Sequence, residues 1–346
     1  MLSLAIPASL GGQDVGLSGP VPTQVESRER IASARLPLLE RNYISQPFPN
    51  HSIGSWFEGV LAIHLPVKNS YARSLDSAYQ QPGITKVGHG IVPSMVVNLR
   101  MTRENSAPVR TPSYVPRLRY VFSRSTRDPQ AERASPRVNQ WLYEATVGHY
   151  SNGQDGCLYA QQVDTNCVFR TPVARNALRT NRRDGSFSSH YLEAAVTRRW
   201  ISVGTTNFDD QRLRARRVLH LGAKVRDYAA LSSIGGGMVD ELRSEYGQPR
   251  IRVFGGANWE RNRNESWSGN SWIEGFVEAL PGRSPQVDPV RLSLEFGHSF
   301  DRLDGVGVFA RAYSGQDDYN LGFLTNIRVI HVGVAVGGES RMSFRM

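Results

Sequence analysis

Along much of the chain apolar and polar residues alternate one by one, the period of a β-strand whose side chains point to opposite faces. Between 139 and 151 one face carries Trp141, Tyr143, Ala145, Val147, His149 and Ser151, and the other carries Gln140, Glu144, Thr146 and Gly148. Leu118, Tyr120 and Phe122 alternate with Arg117 and Arg119, and Val290, Leu292, Leu294 and Phe296 alternate with Arg291, Ser293 and Glu295. The pattern predicts about eleven strands, at roughly 54–66, 94–103, 114–123, 139–151, 187–201, 216–228, 249–260, 270–280, 288–299, 305–314 and 326–337.

A water-soluble sandwich also alternates, but its polar face is freely solvated. Here that face is rich in Arg and Glu and poor in Lys: of 41 basic residues only Lys68, Lys86 and Lys224 are lysines. Planar guanidinium groups suit fixed, bidentate ion pairs in a confined space. A membrane barrel accounts for both faces at once, apolar toward lipid and charged within. Trp141, Tyr143, Trp200 and Trp259 stand near strand ends, where interfacial girdles belong. The predicted fold is therefore all-β, an antiparallel transmembrane β-barrel with an Arg/Glu-rich lumen. No apolar run approaches about eighteen residues, which excludes a helical membrane protein. The mean hydropathy of −0.39 fits a wall in which every second residue faces a polar interior.

The net charge of +10 raises the question of nucleic acid. The arginines, however, are dispersed along alternate strand positions and form no single basic patch, so no nucleic-acid partner is expected. Anionic lipid headgroups are the more natural use of the excess charge. Residues 1–45 read as a signal-peptide remnant followed by a flexible arm, and residues 46–346 as one barrel. Cys157 and Cys167 lie ten apart in one connection, which predicts a local disulfide in an oxidising compartment and no zinc site.

His149 and Ser151 share the apolar face of their strand. A serine becomes a nucleophile when a neighbouring base takes its proton and a third group orients that base. Residues two apart on a strand are separated by about 6.5 to 7 Å, within reach of leaning side chains. The third group must come from the adjacent strand, where segment 187–201 puts Ser188 and His190 on its own apolar face. The polar connection from Gly153 to Phe187 is long and belongs outside the membrane, so the pair is expected at the headgroup boundary, the depth of a lipid ester.

At these residues the chain resembles the outer-membrane phospholipase A family of bacterial β-barrels. His149-Tyr150-Ser151-Asn152-Gly153 is similar to that family's active-site motif, and Tyr114-Val115-Pro116 to its Tyr-x-Pro strand opening. Tyr313-Ser314-Gly315 with Asp318-Tyr319-Asn320 resembles its C-terminal region, and Arg328-Val329 running into Gly333-Val334-Ala335-Val336 its last strand. The resemblance implies a twelve-stranded barrel in the bacterial outer membrane that hydrolyses phospholipid acyl esters as a phospholipase A1/A2. It also implies activation by calcium and by homodimerisation. Ser151 is then the nucleophile and His149 the base, and His190 takes the place of the family's orienting asparagine. Calcium is expected at Gly153, Gln154 and Asp155. Two other classes fit the same pattern: a lipid A deacylase-like barrel hydrolase, and a non-enzymatic porin-like or inactive barrel.

Overall fold

The computed structural model describes residues 40–336 except 49–54, 103–108, 131–136, 164–165, 175–176, 182–183, 206–212, 229–245, 262–267, 304–305, 318 and 320–321. Its strands are β1 (Asn42–Phe48), β2 (Ser55–His64), β3 (Lys68–Asn69), β4 (Lys86–Thr102), β5 (Val109–Arg127), β6 (Arg137–Ser151), β7 (Gln162–Val163) and β8 (Val168–Phe169). They continue with β9 (Ser188–Thr205), β10 (Leu213–Asp227), β11 (Arg250–Arg261), β12 (Gly269–Ala279), β13 (Val290–Phe300), β14 (Val306–Gln316) and β15 (Asn326–Val336). One helix, α1 (Ser70–Gln80), precedes β4. All but β3, β7 and β8 form an antiparallel ring in the order β2-β1-β15-β14-β13-β12-β11-β10-β9-β6-β5-β4, which the β2–β4 pairing closes. The protein is thus a closed twelve-stranded barrel.

Eleven of the ring strands answer to the alternating segments, and the differences have physical causes. The twelfth, β1, begins at Asn42, inside the stretch read as an arm, because only Ile44 and Phe48 of its outward positions are large and apolar and Pro47 interrupts it. The leading signal-like residues lie outside the described residues. β4 begins eight residues before the expected position, running through Pro93. The Pro93 carbonyl accepts from the Leu65 N–H, so its missing N–H faces the same side, where β2 has already ended.

Exposure follows the alternation and inverts that of a soluble protein. Leu294 is 55% exposed and Leu221 likewise, whereas Arg291 is 2% exposed and Glu278 3%. The apolar face is therefore the lipid-facing outside of a transmembrane barrel. Among the described residues no helix is long and apolar enough to cross a membrane.

The lumen is filled in layers. At the end where β1 begins, Leu75 and Ala78 of α1 pack on Val138, Ile201 and Val218, and Tyr71 packs on Val92, Val121 and Leu142. The middle is cross-linked by ion pairs: Arg41 to Glu274 (2.7 Å) and Glu295 (2.8 Å), Arg100 to Glu58 (2.8 Å) and Asp317 (2.7 Å), and Glu193 to Lys224 (2.9 Å) and Arg226 (2.7 Å). At the opposite end Tyr150, Tyr159, Phe187, Tyr191, Tyr228, Tyr246, Phe323 and Leu324 make an aromatic plug.

Placing a charge on the outer wall tests the assignment of faces. Leu294→Arg, near the middle of β13, is expected to lower stability in lipid vesicles by about 2–4 kcal/mol in urea unfolding. A loss near zero would show that this wall does not face hydrocarbon.

Candidate active site

The side chains of β6 follow its alternation to its last residue. Trp141, Tyr143 and Val147 are exposed on the outer wall while Gln140, Leu142, Glu144 and Tyr150 are buried within. His149 and Ser151 hold the outward parity and are half-buried, at the end of the apolar band. Gly148, between Val147 and His149, lies under the Tyr191 ring, which a Cβ would strike. Tyr150 and Tyr191 belong to the aromatic plug, so the wall behind the pair is packed.

The register of β6 and β9 sets His149 opposite His190 and Ser151 opposite Ser188. The two imidazoles meet with Nδ1 atoms 3.2 Å apart and ring centroids 4.6 Å apart. A hydrogen bond between them requires one Nδ1 to carry the proton and the other to accept. Among the described residues no hydrogen bond links Ser151 to His149; the free Nε2 of His149 is the nitrogen left for the serine. Ser151 also lies opposite Tyr114 of β5, whose ring is 38% exposed on the same wall.

Asn152 is buried and bolts the site shut behind Ser151. Its Nδ2 donates to the Gly185 carbonyl (2.7 Å), its Oδ1 accepts from the Phe187 N–H (2.9 Å), and its own N–H donates to the Phe187 carbonyl (3.1 Å). Gly153 then turns the chain with φ of +64°, a conformation that favours glycine. The connection that follows contains the β7–β8 hairpin and the disulfide between Cys157 and Cys167, Cα atoms 5.2 Å apart, as expected. Gly153, Gln154 and Asp155 offer a carbonyl, an amide and a carboxylate, oxygen donors of the kind calcium takes. Among the described residues no three His, Cys, Asp or Glu side chains gather in a metal-holding group, so an ion there would add backbone and water oxygens to the Asp155 and Gln154 side chains.

Two features escape a reading of single segments. Pro116 stands where the β5–β6 ladder skips between Tyr114–Ser151 and Arg117–Gly148, so it faces His149 without a donor to offer. Pro93, Met95 and Pro116 with Ile63, Leu65 and Val147 line an apolar groove of about 530 Å³ on the outer wall, which ends on His149 and His190. The prolines themselves were the available signal. Tyr313 of β14 lies across the ring from β6 and donates to the Gln316 carbonyl, whereas Tyr319 reaches back toward β4 and β5, with the Arg100 guanidinium over its ring (4.4 Å) and its hydroxyl donating to the Thr111 carbonyl (3.0 Å). Asp318 and Asn320 lie outside the described residues.

No family model and no curated protein matches the sequence. Among solved structures, the Salmonella typhi outer membrane phospholipase dimer with bound calcium is similar at 13% identity and a TM-score of 0.42, over 89% of this chain and 98% of that one. Outer membrane phospholipase A from Escherichia coli is similar at 12% identity and a TM-score of 0.41, over 89% of this chain and 95% of that one. An active-site mutant of the same Escherichia coli protein gives 12% and 0.41, over 90% and 98%.

Removing the bolt should loosen the loop without opening the barrel. Asn152→Ala is expected to lose about 1–3 kcal/mol by leaving buried backbone groups unpaired. Limited proteolysis is the measurement, with faster cutting between 153 and 187 and an intact barrel; an unchanged cutting rate would refute the role.

Proposed function

We propose that the chain is an outer-membrane esterase that hydrolyses the acyl esters of phospholipids, with Ser151 as nucleophile, His149 as base and His190 as the residue that positions the base. The observation that carries this reading is the outward placement of His149 and Ser151 where the apolar band ends, with His149 held by His190 through Nδ1. A base and a nucleophile on the lipid face serve a substrate that stays in the membrane. The apolar groove beside His149 supplies a place for an acyl chain.

The chemistry follows from the tautomers. His149 carries its proton on Nδ1 and donates it to Nδ1 of a neutral His190, which leaves the His149 Nε2 lone pair for the Ser151 hydroxyl. A rotation of the Ser151 side chain closes that gap, and such contacts tighten when substrate is bound. Ser151 Oγ attacks the ester carbon as its proton passes to Nε2; collapse of the tetrahedral intermediate returns the proton to the departing lysophospholipid oxygen. Water then hydrolyses the acyl-serine by the same route. Calcium held at Gly153, Gln154 and Asp155 would stabilise the oxyanion as a Lewis acid. It enters this reading as a proposal, together with the homodimer that the sequence resemblance implies.

Purified protein in mixed micelles should release fatty acid from phospholipid. Ser151→Ala should reduce that at least about 10³-fold, and equal release would sink the assignment. His190 should act through His149: His190→Ala lowers kcat by roughly 10²-fold with little change in KM. His190→Asn restores most activity and shifts the acidic limb of the pH profile, because an amide accepts the hydrogen bond without titrating. A His190→Asn variant with the wild-type pH profile would make the residue merely structural. For calcium, titration calorimetry should show binding that Asp155→Asn weakens about tenfold, and excess EDTA should lower activity; no heat and unchanged activity would remove the ion from the scheme.

A further inference from the structure

On the outer wall, toward the end that holds α1, outward side chains form three rows across neighbouring strands. Arg124, Trp141, Arg198 and Leu221 make the first, and Thr126, Asn139, Trp200 and Leu219 the second. Arg137, Ser202 and Arg217 make the third, with Trp259 of β11 opposite Arg217. Arg124, Arg137, Arg198 and Arg217 are all exposed, and among the described residues none pairs with a carboxylate. Asp128, at the edge of this sector, accepts the backbone N–H of Gln130 (2.9 Å).

Arg198 is the centre of the array. Its guanidinium lies over the Trp200 ring at 4.8 Å and the Trp141 ring at 5.4 Å, on the surface that meets lipid. The two indoles hold the planar group in place while, among the described residues, no acceptor takes its N–H fork, which matches a phosphate oxygen pair. Indoles mark the interfacial depth. From Trp141 to His149 β6 rises about 26 Å at about 3.3 Å per residue, or ~20 Å along the membrane normal at about 40° of tilt. That is close to the whole apolar band of about 25 Å, so the array stands at the headgroup boundary opposite the one that His149 faces. Across the ring, exposed strand residues at this end include Ile44, Val308, Val334 and Val336, and Arg302 is exposed in the connection between β13 and β14.

We propose that Arg124, Arg198 and their neighbouring arginines bind the phosphate of an anionic phospholipid headgroup, in the leaflet opposite the catalytic pair. A lipid held there fixes the depth of β6 and β9, the strands that carry His149 and His190. The inference rests on the transmembrane barrel and not on the esterase reading.

Native mass spectrometry of the full chain, from micelles with equimolar phosphatidylglycerol and phosphatidylcholine of matched acyl chains, tests it. The wild type is expected to retain phosphatidylglycerol over phosphatidylcholine by at least about fivefold, the size of one arginine's attraction to an anionic surface. The double variant R124Q/R198Q should fall near parity. Arg328→Gln, at an outward exposed arginine of the other end, should keep the wild-type preference. Heat-dependent electrophoretic mobility reports whether each barrel is folded, and Arg198→Gln alone carries the comparison if the double variant is not. Parity in the wild type, or an undiminished preference in a folded Arg198 variant, overturns the proposal; loss of preference in Arg328→Gln equal to that in R124Q/R198Q overturns the localisation to this array.

Discussion

The structure depends on closure of the sheet. A strand inside a bilayer has no water to satisfy its backbone, so each N–H and C=O must find a partner on a neighbouring strand and the sheet can have no free edge. Here the last gap is filled by β1, a seven-residue strand between β15 and β2, together with the β2–β4 pairing. Once the ring is closed, every residue is committed to lipid or lumen by its parity alone. Charges sent inward are then out of bulk water and need partners, which explains why the lumen is built of arginines with shared carboxylates: Glu295 serves both Arg41 (2.8 Å) and Arg311 (2.5 Å).

The candidate site exists because that commitment runs to the end of β6. Parity sends His149 and Ser151 outward, and register brings His190 opposite. A slip of one residue between β6 and β9 would turn one of the two strands over, sending either His149 with Ser151 or His190 into the lumen. The plug, Gly148 beneath Tyr191, and the Asn152 bonds to Gly185 and Phe187 all act against such movement. Pro116 stands opposite His149, beside the apolar groove of the outer wall.

Polar groups on the lipid face are costly unless they reach a headgroup layer or act on something there. The outer wall carries them at the two ends of β6 and β9 and keeps Tyr143, Ala145, Val147, Leu192, Ala194 and Val196 between. The same strands thus offer hydroxyl and imidazole groups at one boundary and guanidinium groups at the other.

Much of this was legible in the chain because period-two alternation is a local property. Outward Leu292, Leu294 and Phe296 against inward Arg291 and Glu295 needs no partner strand to be recognised, and the shared face of His149 and Ser151 follows from counting. Other features depended on residues distant in sequence. Val92, Val121, Leu142 and Val138 are apolar yet face inward, an anomaly until α1 is seen to lie against them. β1 carries too few large outward residues to announce itself and is defined by the two strands it joins. The sequence by itself determined which residues share a face, since the pleat enforces that within each strand. Only the tertiary structure decided which faces meet: that His190 stands against His149, that Pro116 stands opposite it, and that Arg198 lies between Trp141 and Trp200. Register between strands is a sum of many contacts around the closed ring, and no single segment holds it.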